Sequence, residues 1–199
     1  MGGHRELQKE ATRRRILTTA LALFSERGYA TTTIDDIARA ASTTRVTFYA
    51  YFDSRRDLML ALIGELDVLV DRGPDRDPAS SGLVEAVRIG TIESLGPWLR
   101  DQAARWPTIK PYMIAAAEAS AIDSEIRELY VAWFDEIISE IETGLTLADR
   151  FAPESRRYRG ELAIAQLDHL ARHWMREPWD IDESPAIGVL IESWTKLLG

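Results

Sequence analysis

Residues 33–58, TIDDIARAASTTRVTFYAYFDSRRDL, decide the fold class of this chain. Thr33 precedes Ile34-Asp35-Asp36, and this order predicts an N-cap followed by acids in the first turn, favourable against the helix dipole. That helix ends near Ala40, where Ala41-Ser42-Thr43 interrupts it, and a second short helix covers Thr44–Tyr51. Two short helices joined by a turn of about three residues form a helix-turn-helix arrangement.

The second of these helices carries the side chains that can bind DNA. Short donors and a guanidinium on one short element can reach base edges and phosphate oxygens in a major groove; these are Thr44, Arg45, Thr47, Tyr49 and Tyr51. The alternative is that the tyrosines are core residues, but Phe48 and Phe52, four apart, fit the buried face better and leave Tyr49 outward. The residues expected to pack the two helices together are Ile34, Ile37, Ala38, Val46, Phe48 and Phe52.

Helical periodicity continues on both sides of this stretch, and no period-2 alternation predicts a strand. An apolar stripe from Ile16 to Phe24 predicts a helix that Gly28 ends, and Asp53 or Ser54 caps a helix to about Asp71. Further helices are predicted over about 83–105, 111–120, 125–147, 154–176 and 185–198, with loops at 73–78 and 178–185. We expect Gly96-Pro97 to kink or break its helix, and Trp106-Pro107 and Lys110-Pro111 to mark a boundary. The sequence therefore predicts an all-α chain of about nine helices.

Composition and charge limit the possible functions. The chain has 199 residues, no cysteine and a net charge of −8, but residues 1–60 carry +3, which leaves −11 for the rest. A basic end on an acidic body can mark a nucleic-acid-binding end, although Arg13-Arg14-Arg15 could equally be a solvated helix face. No apolar run reaches the ~18 residues of a spanning helix, and residues 1–10 lack a signal-peptide core. We therefore expect a cytoplasmic protein without membrane association, and no motif of an enzyme is present.

At several fixed spacings the N-terminal quarter resembles the DNA-binding domain of the tetracycline-repressor (TetR) family. The matching stretches are Arg13–Leu17, Leu23-Phe24, Gly28-Tyr29, Thr32–Ala38, Thr47–Phe52 and Asp57-Leu58. The resemblance implies a homodimeric repressor that leaves its DNA operator when a small molecule binds the C-terminal region. It also implies phosphate contacts for Thr33, Tyr49 and Arg55; at the position of Arg55 the family usually has lysine. Base or backbone contacts are implied for Thr44, Arg45 and Thr47. We place Thr43 and Tyr51 in the same predicted DNA interface.

The chain departs from the family pattern at three positions. Ser42 stands where glycine is usual, so a left-handed conformation there is mildly strained. Thr43 replaces a common buried valine, and Val46 replaces a small residue. These departures affect the docking of the recognition helix and leave the fold unchanged.

All six tryptophans follow residue 97, which suggests a ligand cavity in the C-terminal region. The alternative is that they fill a helical core. The predicted ligand-binding residues are Leu66, Trp98, Trp106, Tyr112, Met113, Tyr130, Trp133, Phe134 and Trp174. A small apolar or aromatic effector bound there is expected to displace the end of the helix that begins at Ser54.

Apolar faces at the end of the chain predict a homodimer built from two helices of each subunit. The expected interface residues are Leu162, Leu170, His173, Ile187, Leu190, Trp194 and Leu197. His169 and His173 lie four apart, which is only half a metal site, and we expect neither a metal nor a cofactor. Residues 1–53 are predicted to form the DNA-binding domain and residues 54–199 the effector and dimerisation domain. The rival hypothesis is an all-helical small-molecule carrier or protein-interaction module, which would not bind DNA.

Overall fold

A computed structural model describes residues 2–70, 72, 81–176 and 185–199. Within them the chain forms nine helices and no strand, which confirms the predicted all-α class. The helices are α1 (Gly2–Arg27), α2 (Ile34–Ala40), α3 (Arg45–Tyr49), α4 (Arg55–Leu69), α5 (Gly82–Ile89), α6 (Ile92–Ile122), α7 (Ser124–Leu147), α8 (Pro153–Arg176) and α9 (Pro185–Leu198). None of them, over the residues described, is long and apolar enough to cross a membrane.

The chain divides into two compact units. The first consists of residues 1–73 and 108–130, and the second of residues 74–107 and 131–199. The loop predicted at 73–78 and most of the connector predicted at 178–185 lie outside the described residues. The functional division between residues 53 and 54 stays a prediction.

Local capping signals set the helix ends as the sequence predicts. Gly28 adopts φ +88°, a left-handed conformation that glycine takes at no steric cost, immediately after the last residue of α1. Thr33, Thr44 and Ser54 are the N-caps of α2, α3 and α4, and each side chain accepts a hydrogen bond from a backbone N–H in the first turn. Asp123 does the same for α7 by accepting from the N–H groups of residues 125 and 126. Short side chains at these positions therefore fix where the helices begin.

The core of the first unit holds the helix-turn-helix together. Phe24, Ile37 and Phe48, from α1, α2 and α3, are all fully buried in one apolar cluster. Leu58 and Leu62 of α4 join the same cluster, as do residues 115, 119 and 126. The short helices α2 and α3 therefore owe their stability to packing, since isolated helices of this length are marginal in water.

At Gly96-Pro97, where the sequence predicts a kink or a break, the helix does not break, and the boundary predicted at Trp106-Pro107 and Lys110-Pro111 is wrong. Helix α6 runs without interruption from Ile92 to Ile122, and the real break is at Gly90, which ends α5 at φ +73°. Pro97 is exposed, so the carbonyl that loses its partner can bond water. The buried residues that carry the helix past this proline are Leu95, Leu99, Ala103 and Trp106.

In the second unit, α8 and α9 pack side by side and run in opposite directions. The Arg159 guanidinium donates to the Leu197 carbonyl at 2.5 Å, and the Ser193 hydroxyl donates to Gln166 Oε1 at 3.0 Å. Because the residue numbers rise along one helix as they fall along the other, the pair is antiparallel. Arg150 adds a C-terminal anchor, since it donates to the carbonyl oxygens of residues 87 and 198 at 2.9 and 2.6 Å.

Three residues predicted at the dimer interface instead belong to the core of this unit. Trp194 is fully buried, and its ring stacks on Trp98 with centroids 5.8 Å apart. Ile187 and Leu190 are also buried. Their side chains face the interior of the subunit, because the apolar face of α9 packs against α6 and α8. Leu162, in contrast, is 57% exposed, His173 is exposed, and Leu170 and Leu197 are half-buried.

Candidate nucleic-acid interface

The turn between α2 and α3 closes tightly on its own backbone. The Ser42 N–H donates to the Arg39 carbonyl at 3.1 Å, and the Thr43 N–H donates to the Ala38 carbonyl at 2.9 Å. Ser42 has φ +51°, so the left-handed conformation expected from the sequence is present at a residue other than glycine. Such strain persists only where surrounding contacts impose it, and here the buried Ala41 beside it supplies them.

The N-terminal turn of α3 presents hydroxyl groups to solvent. Thr44 Oγ1 accepts from the Thr47 N–H at 3.1 Å and lies 3.0 Å from Thr47 Oγ1. Thr44 is exposed and Thr47 half-exposed. Phe48 is fully buried while Tyr49 is 43% exposed, as the four-residue spacing of the phenylalanines predicts. The helix is therefore anchored by one face and free on the other.

Arg45 is the cation of this exposed face. One guanidinium nitrogen lies 3.3 Å from Asp35 Oδ2, another lies 3.5 Å from the Tyr49 hydroxyl, and the guanidinium carbon is 5.9 Å from the centre of the Tyr49 ring. The Tyr49 hydroxyl and the Asp35 carboxylate raise the pKa of Arg45. Arg45 and Asp35 are both more than half exposed, so the ion pair between them is weak and can yield to a stronger anion.

Thr33 closes a capping box at the start of α2. Its hydroxyl accepts from the Asp36 N–H at 3.2 Å, and Asp36 Oδ2 accepts from the Thr33 N–H at 3.1 Å. Hydrogen bonds from the hydroxyl and backbone of Thr33 lower the pKa of Asp36. Thr33 itself is exposed, so its position agrees with the predicted phosphate contact without testing it.

Two of the sequence-based placements on these helices are changed by the structure. Val46, predicted to pack α2 against α3, is 80% exposed and belongs to the same outward face as Arg45. Tyr51, predicted in the DNA interface, is half-buried and packs against the core cluster of the first unit. Thr43 is half-buried at the end of the turn. Val46 lies two residues before the buried Phe48, and side chains two apart on a helix do not share a face.

Arg55 does not extend toward solvent as a phosphate ligand would. Its Nη1 donates to the carbonyl oxygens of Thr32 at 2.6 Å and Tyr29 at 2.8 Å, and its guanidinium lies over the Tyr29 ring. The Tyr29 N–H donates in turn to Glu118 Oε2 at 2.7 Å. Sequence reasoning missed Glu118, because nothing in its neighbourhood indicates a contact 89 residues away.

The predicted ligand-binding residues fall into both units. Leu66, Tyr112, Met113 and Tyr130 lie in the first, and Trp98, Trp106, Trp133, Phe134 and Trp174 in the second. Leu66, Met113 and Trp106 are buried, while the side chain of Trp174 lies outside the described residues. Tyr112 donates to Glu65 Oε2 at 3.1 Å, and burial together with that carboxylate raises the pKa of Tyr112 to about 12. The ligand site stays a prediction.

The histidine pair forms no metal site in the described part of the chain. No group of three or more His, Cys, Asp or Glu side chains there could hold an ion. Asp168, beside His169, instead pairs with Arg172 at 2.7 Å.

Comparison with known proteins links this geometry to one family. Residues 16–62 match the model of bacterial regulatory proteins, tetR family. The HTH-type transcriptional regulator AcrR of Shigella flexneri is 34% identical over 99 residues, which cover 45% of this chain and only 45% of that relative's length.

Solved structures extend the likeness in fold over nearly the whole chain. NalD, the secondary repressor of the MexAB-OprM multidrug efflux pump in Pseudomonas aeruginosa, superposes with a TM-score of 0.72 at 23% identity, covering 96% of this chain and 97% of NalD. SmeT in its complex with triclosan gives a TM-score of 0.68 at 20% identity, with 92% and 91% covered. At these identities the likeness shows the fold.

Proposed function

We propose that this chain, whose residues 16–62 match the model of bacterial regulatory proteins, tetR family, is a transcriptional repressor of that family. It binds a near-palindromic DNA operator as a homodimer and is released by a small apolar or aromatic effector. The family consists of regulators and not enzymes, in line with the predicted absence of catalytic motifs.

The observation that carries the proposal is the outward face of α3. Thr44, Arg45 and Tyr49 are exposed on a helix whose opposite side is anchored by the fully buried Phe48. A rigid helix with hydroxyl and guanidinium donors on its free side is suited to a major groove, where such groups bond base edges and phosphates. A carrier or interaction module has no need of this arrangement.

Homodimerisation is supported by an exposed stripe on α8. Tyr158 and Leu162 are 66% and 57% exposed, and Ala165, His169 and His173 continue the stripe at helical spacing. Val189 on the antiparallel α9 is 64% exposed, and among the described residues no neighbouring atom lies within 4 Å of a Cβ placed on Gly188. Two copies of such a surface can pair about a two-fold axis. The dimer would set its recognition helices about 34–36 Å apart, which requires a near-palindrome.

The effector is proposed to bind within residues 54–199. SmeT, which shares the fold, is known in a complex with triclosan, an aromatic small molecule. Because the first 97 residues hold no tryptophan, an effector that quenches tryptophan fluorescence must be sensed beyond them. Reciprocity then requires operator DNA to weaken effector binding by the same factor as the effector weakens operator binding.

The proposal is tested by measuring binding to the DNA upstream of the chain's own gene at several salt concentrations. Arg45→Ala is expected to lower operator affinity about 10- to 100-fold and to relax the preference for operator over unrelated DNA, since a good base contact contributes that much discrimination. Arg88→Ala, which removes an exposed cation of the second unit paired with Glu85, is the matched control and should bind like the unchanged protein.

If the unchanged protein binds no DNA fragment at low salt, the proposal fails and the carrier hypothesis replaces it. If it binds but Arg45→Ala alters neither affinity nor preference, α3 is not the recognition helix.

Val46 gives a second prediction on the same face. A valine that is 80% exposed on a recognition helix offers an apolar surface to the groove, and the apolar group available there is the thymine methyl. Val46→Ala should reduce operator affinity about 3- to 10-fold, because it removes a contact with the methyl group of one thymine in each half-site. Replacing that thymine by deoxyuridine should cost the unchanged protein the same factor and cost Val46→Ala nothing further, whereas additive losses would place Val46 away from the base.

A further inference from the structure

The segment that joins α1 to α2 is held from the α4 side by a single arginine. Arg55 Nη1 donates to the carbonyl oxygens of Tyr29 and Thr32, at 2.8 and 2.6 Å, and lies 3.4 Å from that of Ala30. The guanidinium carbon is 4.3 Å from the centre of the Tyr29 ring, and Tyr29 is only 2% exposed. Only a planar guanidinium can stack on a ring and reach several carbonyls at once. The Arg55 guanidinium is therefore held against residues 29–32 by hydrogen bonds and by the Tyr29 ring.

The same segment is held by a carboxylate from α6. Glu118 Oε2 accepts from the Tyr29 N–H at 2.7 Å, and residues 108–130 belong to the same compact unit as residues 1–73. Gly28 makes room for this contact, because a Cβ added there would lie 2.9 Å from Glu118 Oε2. The peptide groups on both sides of Tyr29 are thus bonded to side chains of two different helices.

What this segment carries is the start of the helix-turn-helix. Thr32 is buried, with its hydroxyl donating to the Gly28 carbonyl at 2.8 Å. Thr33, the next residue, caps α2, and α2 packs on α3 in the shared core. A shift of residues 29–32 therefore moves the N-terminus of α2 and, with it, the outward face of α3.

We propose that Arg55 and Glu118 are positioning residues for DNA binding, which fix residues 29–32 and through them the recognition helix, without touching DNA. The proposal rests on the proposed function and departs from the phosphate contact that the family resemblance implies for Arg55. Beside the apolar packing of residues 115 and 119, Glu118 gives α6 a polar contact with the segment that begins the helix-turn-helix.

Substitutions of Glu118 separate positioning from plain electrostatics. Removing a negative charge from a DNA-binding unit strengthens DNA binding if charge alone matters. Loss of positioning does the opposite, so Glu118→Ala should lower operator affinity about 5- to 10-fold, a loss of the size of the ordinary net contribution of one hydrogen bond. Glu118→Gln, which keeps an acceptor, should recover part of that loss. Glu128→Ala removes an exposed charge from the same unit and serves as the control, with affinity unchanged or slightly higher.

Substitution of Arg55 by lysine separates positioning from a phosphate contact. Arg55→Lys keeps the positive charge and the reach to a phosphate but loses the fork that bonds several carbonyls. We expect its operator affinity to fall about tenfold while the slope of log affinity against log salt stays unchanged, because no phosphate contact is lost. Amide exchange at Tyr29 and Thr33 should accelerate in both Arg55→Lys and Glu118→Ala.

Amide exchange is measured without DNA, so it tests whether Arg55 and Glu118 hold residues 29–32 in place even if the protein proves not to bind DNA. The proposal is overturned if Arg55→Lys binds operator like the unchanged protein, or if Arg55→Ala lowers the salt slope by about one with amide exchange unaltered. It is equally overturned if Glu118→Ala binds operator as tightly as Glu128→Ala.

Discussion

Replacing Trp194 by alanine is expected to lower the free energy of unfolding by about 3–5 kcal/mol, the usual cost of removing a large buried aromatic ring. Trp194 is fully buried and stacked on Trp98 at 5.8 Å, so the change removes both burial and an aromatic contact. Such a loss is a large part of the about 5–15 kcal/mol that stabilises most proteins. Urea unfolding followed by circular dichroism, at several protein concentrations, measures it.

Val131→Ala is the matched control, since Val131 is 61% exposed and lies outside the proposed interface. Its truncation should change the free energy of unfolding by less than about 0.5 kcal/mol. Trp194→Phe is a second, milder variant. Trp194 Nε1 is buried without a hydrogen-bond partner in the described part of the chain, so phenylalanine keeps a ring and removes that orphan donor. If Trp194→Ala instead gave a stable monomer, the residue would belong to the interface after all.

Charging the exposed stripe of α8 and α9 is expected to abolish the dimer. In the double variant Leu162→Asp and Val189→Asp, each subunit places two carboxylates on the surface that its copy would cover, and like charges buried together without partners are strongly unfavourable. Operator affinity should then fall by about 100-fold or more, because the second half-site no longer binds as an intramolecular event. Sedimentation velocity and operator titration measure the two effects.

Val131→Asp is the control for this experiment. Val131 is 61% exposed on α7, outside the proposed interface, so its replacement should leave both the mass and the operator affinity unchanged. A double variant that stays dimeric would show that the subunits pair through another surface. A monomer of full operator affinity would show instead that the two half-sites bind independently.

The local features of the helix-turn-helix could be predicted because short-range chemistry decides them. Thr33 caps α2 as predicted, Ser54 is the one of the two predicted caps that begins α4, and Gly28 takes the positive φ expected after α1. The 3.6-residue period likewise placed Phe48 in the core and Tyr49 outside it. Each of these outcomes depends on residues within one or two turns of each other, which a single sequence displays directly.

The errors share a different physical origin. The proline at position 97 predicted a kink or a break, yet α6 does not break there, because its apolar stripe continues across the proline and packing offsets one lost backbone bond. Val46 is apolar and was expected inside, but Phe48 occupies the inward side of α3 and Val46, two residues away, lies on the opposite side. In both cases local propensity competed with tertiary packing, and packing decided the outcome.

The sequence alone determined the all-α class, the helix-turn-helix and its resemblance to the tetR family, because caps, periodicity and fixed spacings are properties of neighbouring residues. Only the tertiary structure decided the roles of Trp194, Arg55 and Glu118. Trp194 lies in the core, stacked on Trp98. The sequence does not show this contact, because the two residues are almost a hundred positions apart along the chain. Arg55 donates to backbone carbonyl oxygens, and Glu118 accepts from a backbone N–H. Such partners give no signal in the sequence, because nearly every residue carries these backbone groups.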